Sequence, residues 1–337
     1  MKNIFFVFYL YLKMVSNSLQ NFYSSHKKYI SFCMLFFTLS LSICSNAQEK
    51  EFNSAIVKVN KYIEGSLVTP YSDVNVPLII FIMDAGAINK DGNDHMSKND
   101  TFKKLAHELA RSGIATYRYN KRLFTMDKFG IKEHEISLDH FIEDAESIIE
   151  YFSRNKNYKK IFVAGHGQGS LVGMIAAKEK ANGFISIAGN AMPIDQVIIE
   201  QIAKQAPGLD KSAFVAFKEL KEKGRAVSYD PALESIFRYN LQPFMKSWIK
   251  YNPTEEIAKL SMPILIIHGE KDIQVELFQA EQLTEAAPQA ESLLVPNMNH
   301  ILKEIKGGRL ENHKSYNEPH RKIMPEVITS IVKFVNQ

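Results

Sequence analysis

Gly167 stands where a serine nucleophile would be expected. The segment Ile161-Phe162-Val163-Ala164-Gly165-His166-Gly167-Gln168-Gly169-Ser170-Leu171-Val172 is an apolar run followed by a helix-like stretch. That is the strand–turn–helix setting of a nucleophile elbow, whose pattern is G-x-S-x-G. Here it reads G-H-G-Q-G. The small flanking residues fit a turn where strand and helix backbones nearly touch, and glycine at the centre occupies strained geometry without a Cβ penalty. By itself the segment reads equally well as a glycine-rich turn. It does not follow the G-x-G-x-x-G spacing of a dinucleotide-binding loop.

Two later segments carry an acid and a base. Ile264-Leu265-Ile266-Ile267-His268-Gly269-Glu270-Lys271-Asp272 is a strand-like run ending in glycine and then an acid. Leu293-Leu294-Val295-Pro296-Asn297-Met298-Asn299-His300 is a second strand followed by a loop histidine. Asp272 can accept the Nδ1–H of His300, fixing its tautomer, and His300 can then act as general base. Taken singly, each is equally a solvated loop residue. Ser170, one helical turn beyond the elbow, is expected to pack near the sheet rather than replace the nucleophile. A water in the space at Gly167, activated by His300, is the better substitute. The remaining histidines, among them His107, His134, His140, His268, His313 and His320, show no H-E-x-x-H spacing, so no metal and no cofactor is expected.

The elements that must position these residues alternate. Strands are predicted at Pro77–Met83, Ala115–Tyr119, Ile161–Gly165, Phe184–Ala188, Ile264–Gly269 and Ser292–Pro296. Helices are predicted at Lys98–Ser112, Ser137–Arg154, Gln168–Lys180, Val275–Ala287 and Met324–Asn336. This alternation predicts an α/β chain with a doubly wound, mostly parallel sheet. Ala55–Lys61 and Glu64–Thr69 read as an antiparallel hairpin feeding it. From about 190 to 260 the alternation stops. Helical patterns at Ile194–Gln205, Lys211–Lys223, Pro231–Tyr239 and Pro243–Tyr251 suggest an inserted helical cap over the strand ends, where such sheets bind ligands.

The first 47 residues are a leader. Lys27-Lys28, an apolar run from Ile30 to Cys44, and Ser45-Asn46-Ala47 form a basic, apolar and small-x-small series. That reads as a secretory signal cleaved near Ala47, leaving 48–337 as the mature domain. A second apolar stretch, Ile4 to Leu12, leaves a membrane anchor as the rival. Cys44 offers a lipoprotein alternative. Both cysteines, Cys33 and Cys44, lie in this leader, so no disulfide framework follows it. The leader holds four lysines and no acid. The remaining 37 bases therefore meet 37 acids, which gives no case for nucleic-acid binding. Contact with a membrane is expected only through the leader or a lipid anchor, and export would be to the periplasm or the exterior.

These segments together resemble the secreted or periplasmic bacterial α/β-hydrolases, the serine esterases and aminopeptidase-like hydrolases. The nucleophile–acid–histidine order is that of the fold. The resemblance spans most of 52–337 and includes Glu64-Gly65-Ser66-Leu67-Val68-Thr69-Pro70 (the family's G-x-L-x-x-P hairpin), Ala188–Asp195, Asn252-Pro253 through Leu260 with Met262-Pro263, and, most closely, Gly269–Val275 and Met298–His300. It implies an α/β-hydrolase fold, a small-molecule ester or amide ligand, and an oxyanion hole from the backbone N–H groups of Gln168 and Ala85. The departures are as informative. Where the family usually carries G-S-G-P-x-D-R-x-G-N, this chain has Asp84-Ala85-Gly86-Ala87-Ile88-Asn89-Lys90-Asp91-Gly92-Asn93. Asp84 places a negative charge near a developing oxyanion. Where the family resembles R-Y-D-K-R-G, the chain has Arg118-Tyr119-Asn120-Lys121-Arg122-Leu123. Such departures imply an inactive or strongly impaired hydrolase, a pseudoenzyme. The alternative is a secreted, non-catalytic protein that binds a small molecule or acyl ligand. Gly167→Ser is expected to cost about 1–3 kcal/mol through backbone strain.

Overall fold

The computed structural model describes residues 51–71 and 75–337. The expectations for the signal, its cleavage near Ala47, Cys33 and Cys44 lie outside the described residues.

Chain order begins with β1 (Phe52–Lys58), β2 (Glu64–Pro70), β3 (Val76–Ile82), α1 (Thr101–Arg111), β4 (Ala115–Tyr119), α2 (Leu138–Ser153), β5 (Tyr158–His166), α3 (Gln168–Ala177) and β6 (Gly183–Ile187). The insert follows, with α4 (Ile194–Gln205), α5 (Leu209–Lys223), α6 (Gln242–Trp248) and α7 (Pro253–Ala258). The chain closes with β7 (Ile264–Gly269), α8 (Leu277–Ala286), β8 (Glu291–Val295), α9 (Arg309–Ser315) and α10 (Pro325–Val335). The eight strands form one sheet in the order β1-β2-β4-β3-β5-β6-β7-β8. β1 and β2 pair antiparallel, as does β2 with β4, and every other pairing is parallel.

The parallel strands are apolar on both faces because helices cover both. In β3, Leu78, Ile80 and Ile82 enter one core with Ile148 and Phe152 of α2 and Leu171 and Met174 of α3. Ile79 and Phe81 enter the other core with Phe102 and Leu109 of α1 and Ile331 and Phe334 of α10. β7 divides the same way, Ile264 and Ile266 to the first core and Leu265 and Ile267 to the second. Each fully buried aliphatic or aromatic side chain contributes about 1.5–3 kcal/mol of transfer free energy. The continuous apolar runs thus conceal a period-two division of labour that pins the register.

The insert has its own apolar centre, in which Phe217, Leu220, Leu233, Phe237 and Met245 are buried together. Phe244 and Trp248 pack against both this centre and the first core of the sheet. α6 is tied to α2 where the Leu138 N–H donates to Ser247 Oγ at 2.7 Å.

The structure departs from the sequence expectations in short pieces. The single helix expected over Pro231–Tyr239 is broken into a tight turn, Pro231–Leu233, and a one-turn helix, Glu234–Phe237. Arg238 is extended there (φ −53°, ψ 143°) and stops the helix. α7 and α9 had no expectation. α9 has no apolar stripe; what it buries is polar, Asn312 and Ser315, both bonded by the Asn299 amide.

All parallel strands run toward one edge of the sheet, so the loops after β3, β5, β7 and β8 gather there, which is where open α/β sheets place their ligands. Their approach needs close backbone contact. A Cβ on Gly169 would lie 2.2 Å from the Ile82 carbonyl oxygen, and one on Gly165 would lie 2.1 Å from that of Gly169. Gly169→Ala should therefore destabilise the fold by about 3 kcal/mol, measured as a shift of the urea unfolding curve. An unchanged midpoint would show that β3 and α3 can separate freely.

Candidate functional site

The turn after β5 has the backbone of a nucleophile elbow. Gly167 has φ +52° and ψ −117°, a conformation L side chains rarely adopt. It is anchored on both sides, its N–H donating to the Ile187 carbonyl at 3.0 Å and its carbonyl accepting from the Ser170 N–H at 3.0 Å. Ser170 is buried and bonded to Ser186 Oγ at 2.7 Å, away from the elbow tip.

The space above Gly167 is filled from another strand. β3 ends at Ile82, and two residues on, the Asp84 carboxylate turns over the elbow. A Cβ on Gly167 would lie 2.0 Å from Asp84 Oδ1 and 2.2 Å from its Cγ. The Asp84 Oδ1 atom accepts the Ala85 N–H at 2.6 Å and the Gln168 N–H at 2.7 Å. Those are the two donors expected to form an oxyanion hole, and both are aimed at one oxygen of Asp84. The other oxygen, Oδ2, lies 3.1 Å from His300 Nε2. The negative charge expected at Asp84 near the oxyanion position thus sits on the donors themselves, and its carboxylate is the anion that they hold.

Asp272 and His300 meet. His300 Nδ1 lies 2.8 Å from Asp272 Oδ2, and Asp272 Oδ1 accepts the Gln274 and Val275 N–H groups at 2.8 and 2.9 Å. The His300 ring therefore stands between two carboxylates. Burial alone would lower its pKa. The Asp272 and Asp84 carboxylates outweigh that and raise it from the ordinary 6.5 to about 10. At neutral pH the ring is an imidazolium donating on both sides. Burial pushes the Asp84 carboxyl up, but the hydrogen bond and charge of His300, with the Gln168 amide, hold it well below the usual carboxylate range. Asp272 is lowered too, its burial outweighed by His300 and two backbone amides.

His166 supports this loop, and sequence reasoning assigned it nothing. Its Nε2 lies 2.9 Å from the His300 carbonyl oxygen, and its ring centroid lies 4.4 Å from that of His300. Burial and the neighbouring imidazolium hold it neutral at neutral pH, near 4, so Nε2–H donates to that carbonyl. Its only sequence signal was its place beside the central glycine. Donor atoms of Asp84, His166 and His300 lie within 4.8 Å of one another, close enough to suggest a metal. Both His300 nitrogens are committed to carboxylates and His166 Nε2 to a carbonyl, so the cluster as arranged holds a proton.

The altered loops are tied to each other. The Lys121 ammonium donates to the Asp84 carbonyl. Asn120 Oδ1 accepts the Lys90 N–H at 2.8 Å, and Arg118 pairs with Asp91. Lys121 is buried, which lowers its pKa to about 8 despite the Asp84 charge. Asp84, at 15 % side-chain exposure, is the member of its ion triad that reaches solvent; His300 and Asp272 are at 2 % and 1 %.

Residues 92–304 match the serine aminopeptidase S33 hydrolases. The chain belongs to that family. Esterase EstD of Thermotoga maritima is 25 % identical over 270 residues, covering 75 % of this chain and 61 % of the esterase, so the chain spans under two thirds of that relative's length. In fold it is similar to Est1E from Butyrivibrio proteoclasticus (TM-score 0.53, 14 % identity, 84 % of this chain and 99 % of that one). It is also similar to the Pyrococcus horikoshii acylaminoacyl peptidase (TM-score 0.51, 14 % identity, 86 % of this chain and 42 % of that one). Within the family frame, Gly167, Asp272 and His300 fall inside the matched residues and Asp84 precedes them.

The ion triad makes stability depend on pH. His300 is raised in the fold, so its contribution is complete below its unfolded pKa of 6.5 and is lost as pH rises toward 10. The two carboxylates are depressed, so theirs is present above about pH 4 and lost as pH falls below it. Urea unfolding midpoints should therefore fall between pH 6 and pH 10 in the wild type, and the fall should be shallower in His300→Gln. Equal slopes in the two proteins would remove the imidazolium from the account.

Proposed function

We propose that this S33-family chain does not run the serine acyl-enzyme reaction, and that hydrolysis of carboxylic esters or amides by that route is absent or strongly impaired. The observation that carries this reading is the Asp84 carboxylate seated on the donors of Ala85 and Gln168. An acyl substrate needs those two N–H groups for the oxyanion that develops on its own carbonyl. It also needs a neutral imidazole to take a proton, whereas His300 is held charged by its two acid neighbours. A triad without its nucleophile typically keeps only about 10³–10⁴-fold catalysis over water, from the oxyanion hole and binding. Here the hole is taken as well.

Two positions have exchanged character relative to the family pattern. Glycine stands at 167 in place of the nucleophile, and aspartate at 84 in place of a loop glycine. Gly167→Ser alone should stay silent on short-chain aryl esters, because its Cβ meets the Asp84 carboxylate as well as a strained backbone. The exchange Asp84→Gly/Gly167→Ser frees the donors and His300 together and should gain esterase activity that a further His300→Ala removes. Ester turnover by the wild type comparable to that of the exchanged variant would overturn this reading.

A further inference from the structure

The Asp84 carboxylate occupies the nucleophile's place, and its two oxygens have different surroundings. Oδ1 is pinned by the Ala85 and Gln168 N–H groups at 2.6 and 2.7 Å. Oδ2 makes its contact with His300 Nε2 at 3.1 Å. Behind the imidazole stands Asp272, 2.8 Å from Nδ1. The side chain retains 15 % exposure while the residues behind it are sealed. One oxygen is thus immobilised, the other faces the His300 imidazole, and the group as a whole can be reached from solvent. We propose that Asp84 is a carboxylate nucleophile, and that the site hydrolyses substrates bearing an anionic leaving group on a saturated carbon, such as haloalkanes, through an alkyl-aspartyl ester.

The substrate class follows from where the donors point. Attack on an acyl carbon would require an oxyanion hole for the substrate's oxygen, and that hole is filled by Oδ1. Displacement at a saturated carbon develops no oxyanion and needs no hole. Oδ2 gives an electron pair to the carbon, the carbon–halogen bond breaks, and the halide leaves with its pair. In-line displacement puts the leaving group on the far side of the carbon from Oδ2, and so from His300. It must therefore depart without a proton, which favours halide over alkoxide.

The donors then serve the second step. Alkylation removes the charge of Asp84, one of the two carboxylates holding the proton on His300, and that proton passes to solvent. Neutral His300, still oriented by Asp272, takes a proton from water as the water oxygen bonds to Asp84 Cγ. The negative charge develops on Oδ1, where the Ala85 and Gln168 N–H groups already lie at hydrogen-bond distance. Collapse breaks the Cγ–Oδ2 bond. The alcohol leaves carrying Oδ2 and the proton from His300, and Asp84 keeps the oxygen from water. The new carboxyl proton returns to His300. The sum is haloalkane plus water to alcohol, halide and a proton. Gly167 fits this scheme, since any side chain there would displace the carboxylate.

The test uses the full chain with iodoethane and iodobutane. In wild-type protein, in excess over haloalkane and in water carrying the heavy oxygen isotope, a single turnover should place that isotope in Asp84 and none in the alcohol. Isotope in the alcohol after one turnover would mean direct attack by water and would overturn the proposal. In His300→Gln the second step loses its base, and the alkyl ester should accumulate on Asp84. Peptide mass mapping should find Asp84 alkylated about 100-fold faster than the exposed carboxylates Glu51 and Glu276, as expected of an oriented nucleophile. Alkylation of Asp84 no faster than those two, in protein that keeps the wild-type circular dichroism, leaves the carboxylate as a plug and the proposal is wrong. The Proposed function is tested separately: wild-type ester turnover would sink that reading without labelling Asp84 by haloalkane.

Discussion

The volume above the elbow is the constraint on which the site depends. It admits a side chain at 167 or the carboxylate of Asp84, and not both, since a Cβ on Gly167 would lie 2.0 Å from Oδ1. Once the carboxylate is there, the rest follows from electrostatics. The Ala85 and Gln168 amides find a full negative charge, and charge-assisted hydrogen bonds are about twice as strong as neutral ones. His300 acquires a second acid partner and retains its proton. Gly167 and Asp84 are therefore two halves of one arrangement, contributed by the ends of different strands.

The scaffold makes this arrangement possible because it brings four strand ends to one edge. Gly167 is anchored by backbone hydrogen bonds to Ile187 and Ser170, so the turn does not depend on a side chain at 167. The 84–93 loop and the end of β4 with the residues after it bind each other through Lys121, Asn120 and the Arg118–Asp91 pair. The residues in which these segments differ from the resembled pattern thus have partners in one another.

Much of the fold was legible in the sequence because apolar runs and glycines record it directly. β4 and β7 have the bounds read from sequence, and Asp272 and His300, expected to pair, meet at 2.8 Å. Polar elements were not legible. α9 buries Asn312 and Ser315 in place of an apolar stripe, and no periodicity marks it. Asp84 was legible as a charge near the oxyanion position but not as a partner of particular groups, because sequence gives a charge no direction. Its partners, Ala85 N–H, Gln168 N–H and His300, lie one, 84 and 216 positions away. The clue in the sequence lay in the resemblance, which led to an expectation of glycine at 84 and serine at 167 where the chain has Asp84 and Gly167.

The seam between the insert and the sheet domain carries the chain's single tryptophan. Trp248, with Phe244, has one side against the insert's apolar centre and the other against the first core of the sheet. An indole at such a joint is a built-in optical reporter. Its emission colour follows the polarity around one seam, undiluted by other indoles, so separation of the insert from the sheet is spectroscopically distinct from events at the ion triad. The chain carries its own gauge of whether those two cores move as one piece.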